Sequence, residues 1–208
     1  MKRLIHIIPI LFLLIISGCI PFTSYVSPEV LPLKEKSTAV YLSRYIPQND
    51  ENGIDILDIK ERIGLGRNFD IGAGITINDV FTGSVNTDLK YQFKKAPLPM
   101  AFSLGLSYTG AIAGFNIYGI YGIHPSLAIG YKKTYLSLTG NIIRPFGEID
   151  IKPVSYTIIN ASYEIRSFFP EITLVIPPTK NDDLMLLVGF GIKLGKTDKQ
   201  WSPTGRAR

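Results

Sequence analysis

Residues 84–94 read SVNTDLKYQFK, and their side chains separate by parity: Val85, Thr87, Leu89, Tyr91 and Phe93 against Ser84, Asn86, Asp88, Lys90, Gln92 and Lys94. Successive side chains of a β-strand point to opposite faces, whereas a helix would mix these two sets. The same period of two recurs on either side. Phe69, Ile71, Ala73, Ile75 and Ile77 alternate with Asn68, Asp70, Gly72, Gly74 and Thr76. Met100, Phe102, Leu104, Leu106 and Tyr108 alternate with small residues, and Leu184 to Leu194 places six apolar side chains on one face. The 19 glycines and 22 Phe and Tyr residues suit strands in close contact better than helices.

This pattern predicts ten strands, over 37–46, 55–65, 69–78, 83–94, 99–109, 118–131, 134–142, 156–167, 171–177 and 184–195, with eight or twelve as alternatives. Pro170 and the Pro177–Pro178 pair hem in the ninth. Connections alternate between short (66–68, 94–99, 132–133) and longer (47–54, 110–117, 143–155, 178–183), and Asn68 suits the left-handed position of a three-residue hairpin loop. Lys34, Lys36, Arg67, Lys94, Lys95, Lys132, Lys133, Arg166, Lys193 and Lys196 fall at the short-turn end. Asp50, Glu51, Asp55, Asp79, Glu148, Asp150, Asp182 and Asp183 fall at the other. An odd strand count would not put both chain ends with the short turns. The outward aromatics Phe69, Phe93, Phe102 and Tyr131 gather there as well.

The polar parity is mostly Gly, Ser, Ala, Asn and Thr, with the charges Lys60, Arg62, Asp70, Asp88, Lys90, Glu164 and Arg166, and the apolar parity is long and aliphatic. A soluble barrel would put the aliphatic face inside; a membrane barrel reverses it. Open edges cost several kcal/mol per unpaired backbone group in lipid, so the sheet must close. The expected fold is all-β: a closed antiparallel transmembrane β-barrel over 37–195, with these charges expected in its lumen as braces. The pattern resembles that of small bacterial outer-membrane β-barrels, although GKTDKQWSPTGRAR follows where such chains usually end in an aromatic residue. Glu61 falls on the apolar parity, which implies a bulge or register change there, and STAVYLSRYI (37–46) sorts to neither face.

Residues 1–18, MKRLIHIIPILFLLIISG, have a basic start, an apolar core and a small-residue end, the plan of a secretory signal. Ile16-Ser17-Gly18-Cys19 resembles the lipobox of bacterial lipoproteins. The resemblance implies cleavage between Gly18 and Cys19 and a covalent lipid on Cys19, with processing and barrel-assembly machinery and outer-membrane lipids as partners. It also implies an outer-membrane location, with the N-terminus and short turns on the periplasmic side. Residues 19–36 read as a lipidated tether and 196–208 as a polar periplasmic tail. The formal charge of +5 includes Lys2 and Arg3, so the processed chain carries too little charge for a nucleic-acid partner.

Chemistry is sparse. One histidine, His124, follows the signal, so no His-based metal cluster can form, and no cofactor is expected beyond the lipid on Cys19. His124 and Ser126 are two apart and therefore on one face. The pair resembles the His-x-Ser of lipid A deacylase barrels, but the residues after that serine differ, and a structural histidine is the plainer reading. The expected function is a non-enzymatic lipidated outer-membrane barrel, a structural or small-pore envelope component. Alternatives are a lipocalin-like lipoprotein binding an apolar ligand, though the Gly-x-Trp usual in lipocalins is lacking, and a lipid-modifying barrel enzyme. Replacing Cys19 by Ser is expected to abolish labelling by a radioactive fatty acid and processing at Gly18 while the barrel still enters the membrane. Release of a fully soluble protein would contradict the barrel reading.

Overall fold

The computed structural model describes residues 27–46, 53–78, 83–113, 116–146, 153–178 and 184–194. Ten antiparallel strands follow one another around a closed barrel. They are β1 (Lys36–Ile46), β2 (Ile54–Gly66), β3 (Phe69–Asn78), β4 (Gly83–Gln92), β5 (Met100–Ala113), β6 (Asn116–Tyr131), β7 (Thr134–Phe146), β8 (Val154–Tyr163), β9 (Phe168–Ile176) and β10 (Met185–Leu194). Each strand pairs with its neighbours in sequence, and β1 closes on β10 from Thr38–Leu194 to Ile46–Leu186. The two chain ends of the barrel therefore share the rim that carries the short turns.

The barrel is inside-out relative to a soluble protein. On β4, Val85 is 61% and Leu89 47% exposed, while Asn86 and Lys90, each next to one of them in sequence, are 4% and 3% exposed. The same split holds on β3, where Ile71, Ile75 and Ile77 face out and Asp70, Thr76 and Asn78 are buried. An aliphatic exterior around a polar interior is stable in hydrocarbon and would aggregate in water. Phe69, Phe93, Phe102, Tyr131 and Phe168 are exposed at the short-turn end.

Several local expectations change. Leu65 lies in a bulge between Gly64 and Gly66, and no register change occurs at Glu61, which pairs in step with Thr38 and Ala73. Glu61 faces outward and meets Lys36 at 3.6 Å, so a neighbouring cation offsets its position. Gly66 pairs with Phe69, making the loop two residues, Arg67-Asn68, both at positive φ. The long connection expected over 110–117 is a continued β5–β6 ladder reaching Ala113–Asn116. β7 runs on to Phe146. The eighth and ninth strands meet at an earlier turn, closed by the Ile165–Phe168 bridge. Pro170 is within β9 opposite Phe190, and the β8–β9 rungs stop at Ser162–Glu171, so its missing N–H interrupts no rung. β1 does sort: Ala39 and Tyr41 are buried, while Leu42, Arg44 and Ile46 are exposed. Its polarity fails to alternate because tyrosine stands on the inner face and arginine on the outer.

Truncating Leu89 to Ala should cost less than about 1 kcal/mol in urea unfolding from lipid vesicles, because lipid fills the space, against the roughly 2–5 kcal/mol of a leucine in a protein core. Ser103→Leu, which overpacks the interior, should cost roughly 1–3 kcal/mol. The opposite order would reverse the assignment of faces.

Candidate functional site

The β2–β3–β4 register brings five of the expected lumen charges together. Lys60 and Arg62 come from β2, Asp70 from β3, and Asp88 and Lys90 from β4. Lys60 Nζ is 2.6 Å from Asp88 Oδ2. The Arg62 guanidinium bridges both carboxylates: its Nε donates to Asp70 Oδ1 at 2.9 Å, and its Nη2 lies 2.7 Å from Asp88 Oδ1 while also pairing with Asp70. Lys90 Nζ completes the ladder at 3.1 Å from Asp70 Oδ2. Three cations thus share two carboxylates in an interior nearly closed to solvent. Taking such charges out of water is costly, and their mutual attraction compensates only while every partner is present. Gly72 makes room for them, since a Cβ there would stand 2.7 Å from Arg62 Nη1 and 3.0 Å from Asp88 Oδ2.

Of the segment 19–36 expected as a lipidated tether, the described residues 27–35 are bound to the barrel. From residue 35 back to 27 the chain crosses the short-turn mouth as a strap. Lys34 N–H donates to Gly64 O at 2.8 Å and Gly64 N–H to Glu35 O at 2.9 Å. Leu31 N–H donates to Asp70 Oδ2 and Val30 N–H to Gln92 Oε1, both at 3.3 Å. Lys90 Nζ donates to the carbonyls of Ser27 and Glu29, the former at 3.1 Å. Pro28 is fully buried beside Gly130, where a Cβ would come within 2.8 Å of its ring. Lys90 therefore ties the charge ladder to the strap. Burial pushes the Glu29 carboxyl up, against the pull of Lys193 and with the repulsion of Glu164.

Two apolar clusters lie elsewhere in the interior, beside the buried polar side chains of β5–β8. Ala39, Tyr41, Tyr135 and Phe169 pack together, as do Ile56, Tyr156, Ile158, Val175 and Leu187. Glu164 accepts from the Tyr135 hydroxyl at 2.7 Å and meets Lys193 at 3.8 Å, so it belongs to the mouth. Arg166, expected in the lumen, is exposed on the β8–β9 turn, because the turn begins earlier than the sequence period implied. His124 Nε2 is 2.5 Å from Ser107 Oγ, and its Nδ1 meets Asn141 Oδ1. Nδ1–H then donates to the amide oxygen and Nε2 accepts from the serine. Ser126 bonds to Thr139 at 2.9 Å instead, so the His124–Ser126 pair is not assembled. Gly122 is required here: a Cβ would press on the His124 ring at 2.7 Å and on Ser107 Oγ at 3.0 Å. Gly18, Cys19, the expected tail, and the acidic residues Asp50, Glu51, Asp79, Glu148, Asp150, Asp182 and Asp183 lie outside the described residues.

Parity reasoning missed the strap and the Ser107–His124–Asn141 chain. The one signal for the strap was the apolar VLPL at 30–33, unusual for a solvated tether. The histidine's partners come from adjacent strands and needed the register.

No protein-family model matches this chain, and no curated protein matches it. Among solved structures it is similar to KdgM porin at 10% identity, over 76% of this chain and 99% of that one, with a TM-score of 0.41. It is also similar to the N-terminal β-barrel domain of Pseudomonas aeruginosa OprF at 13% identity, over 79% and 100%, TM-score 0.37. A de novo designed transmembrane β-barrel matches at 8% identity, over 80% and 99%, TM-score 0.37. Likeness at this level carries no argument about role, which rests on the geometry of this chain.

Removing the shared counter-ion should be severe. Asp88→Ala is expected to cost roughly 3–5 kcal/mol in urea unfolding, since it leaves Lys60 and Arg62 short of a carboxylate in the interior. Asp55→Ala, at an exposed rim pair 3.8 Å from Arg44, should cost no more than about 1 kcal/mol. Equal costs would show that the ladder is solvated.

Proposed function

We propose that this chain is a lipidated outer-membrane β-barrel with a closed lumen, a structural component of the envelope and not a conduit. The observation that carries this reading is the strap crossing the short-turn mouth, fixed by Lys90, Asp70 and Gln92 above a packed interior. A water-filled channel would leave its lining side chains accessible, whereas Ser103, Ser107, Ser126, Ser137, Thr139 and Asn160 are all buried.

The strap also ties the lipid to the barrel. Cys19 precedes Ser27 by a span of chain that can extend at most about 29 Å, so acyl chains on Cys19 enter the leaflet nearest the short turns. Lipoprotein processing then puts that rim on the periplasmic side. A lipocalin-like calyx is disfavoured because it would need an apolar pocket within a polar shell, the reverse of these faces. A lipid-modifying role built on His124 and Ser126 lacks the contact it would require.

In planar lipid bilayers the purified barrel should give no steady conductance, while migrating differently on gels before and after heating, as a closed membrane barrel does. Stable ohmic current from the wild-type protein would favour the small-pore reading over the structural one.

A further inference from the structure

A ring of cations surrounds the short-turn rim. Lys34, Lys36, Arg67, Lys94, Lys95, Lys132, Lys133 and Arg166 are all exposed, and among the described residues only Lys36 has an ion-pair partner, Glu61. At the opposite rim the described cations are Arg44, paired with Asp55, and Arg144.

The backbone gives a second, independent observation. Three of the short connections are two-residue hairpins, closed by Gly66–Phe69, Tyr131–Thr134 and Ile165–Phe168. The first loop residue of each is basic and at positive φ: Arg67 at 49°, Lys132 at 56° and Arg166 at 59°. Lys34 at the strap's turn has φ 64°. Hairpins with positive φ at this position favour Gly, Asn or Asp, because a longer side chain pays a conformational penalty there. Four turns of unrelated sequence therefore accept the same strain and the same charge.

The cations stand just beyond the outward aromatics: Arg67 precedes Phe69, Lys94 follows Phe93, Lys132 follows Tyr131 and Arg166 precedes Phe168. Lys132 Nζ sits 5.3 Å from the Tyr131 ring centroid. This places positive charge around the outside of the belt, at headgroup level. We infer that the rim is a binding surface for the phosphate groups of anionic phospholipids in the leaflet at the short-turn end. The inference rests on the membrane reading above. Phosphate accepts hydrogen bonds from Lys and Arg, and the neighbouring ring packs on the lipid's glycerol and upper acyl region.

The test compares folding into vesicles of phosphatidylcholine with folding into vesicles of phosphatidylcholine and phosphatidylglycerol, for the wild type and a triple variant, Arg67→Gly, Lys132→Gly and Arg166→Gly. In neutral vesicles the variant should be at least as stable as the wild type, since glycine relieves the turns. Phosphatidylglycerol should raise the wild-type folding equilibrium constant. The variant should lose roughly fivefold of that gain per cation removed, and added salt should erase the difference. Should the triple variant fail to fold, Lys94→Gln with Lys95→Gln, on a turn free of positive φ, reads the same loss. A wild type that gains nothing from phosphatidylglycerol, or a variant that keeps the full gain, overturns the inference while leaving the membrane barrel intact. A wild type that enters neither vesicle and stays soluble overturns the membrane reading, and the inference with it.

Discussion

The β1–β10 ladder, from Thr38–Leu194 to Ile46–Leu186, is the contact on which the rest of the architecture depends. In hydrocarbon no water satisfies a free backbone N–H or C=O, so an open sheet edge would cost several kcal/mol per group. Closing the sheet removes both edges at once. Once closed, the barrel has an outside that meets lipid and an inside that must be filled, and the parity of each strand decides which residues do each. The same closure requires the two ends of the barrel to share a rim, so the segment before β1 emerges beside its mouth.

How the inside is filled explains several residue choices that look unrelated along the chain. The β2–β4 wall carries alternating cations and carboxylates, with Gly72 opposite Arg62 leaving the guanidinium room between Asp70 and Asp88. The β8–β10 wall and β1 contribute aromatic and aliphatic side chains, including Phe169, Tyr41 and Leu187. Lys90 joins the charged wall to the strap, so interior charge and mouth closure are parts of one network. A solvent-filled lumen would need none of this complementarity.

Alternation along β3, β4 and β5 made the architecture legible: ten strands, their order and the outward face follow from single-chain parity. Strand ends were less legible where the pattern is continuous. The run 111–122 is apolar on both parities apart from Asn116 and its glycines, so it did not alternate as a strand, and the β5–β6 ladder reaches into it as far as Ala113–Asn116. At β8–β9, the turn residue Arg166 shares the parity of the lumen residues before it, so counting placed it inside. The Glu61 anomaly misled for a different reason. Parity has no means of showing that Lys36, on the neighbouring strand, stands close enough to offset an outward carboxylate. Of the site, Lys60, Arg62, Asp70, Asp88 and Lys90 were legible as a set because all are charged on a polar parity. The partners of His124 and the seat of the strap were not, because they depend on register between strands and on a segment with no period.

The claim beneath all of this is that odd-numbered side chains on β4 meet lipid and even-numbered ones meet a packed interior. Nitroxide labels placed singly at positions 84 to 87 and at 89, outside the charge ladder, in vesicle-embedded protein measure it most directly, through collision with oxygen, which dissolves in lipid, and with a polar nickel chelate, which stays in water. The account predicts strong oxygen collision at Val85, Thr87 and Leu89, and weak collision with both reagents at Ser84 and Asn86. Oxygen collision that does not alternate, or chelate collision at Val85 and Leu89, would contradict it.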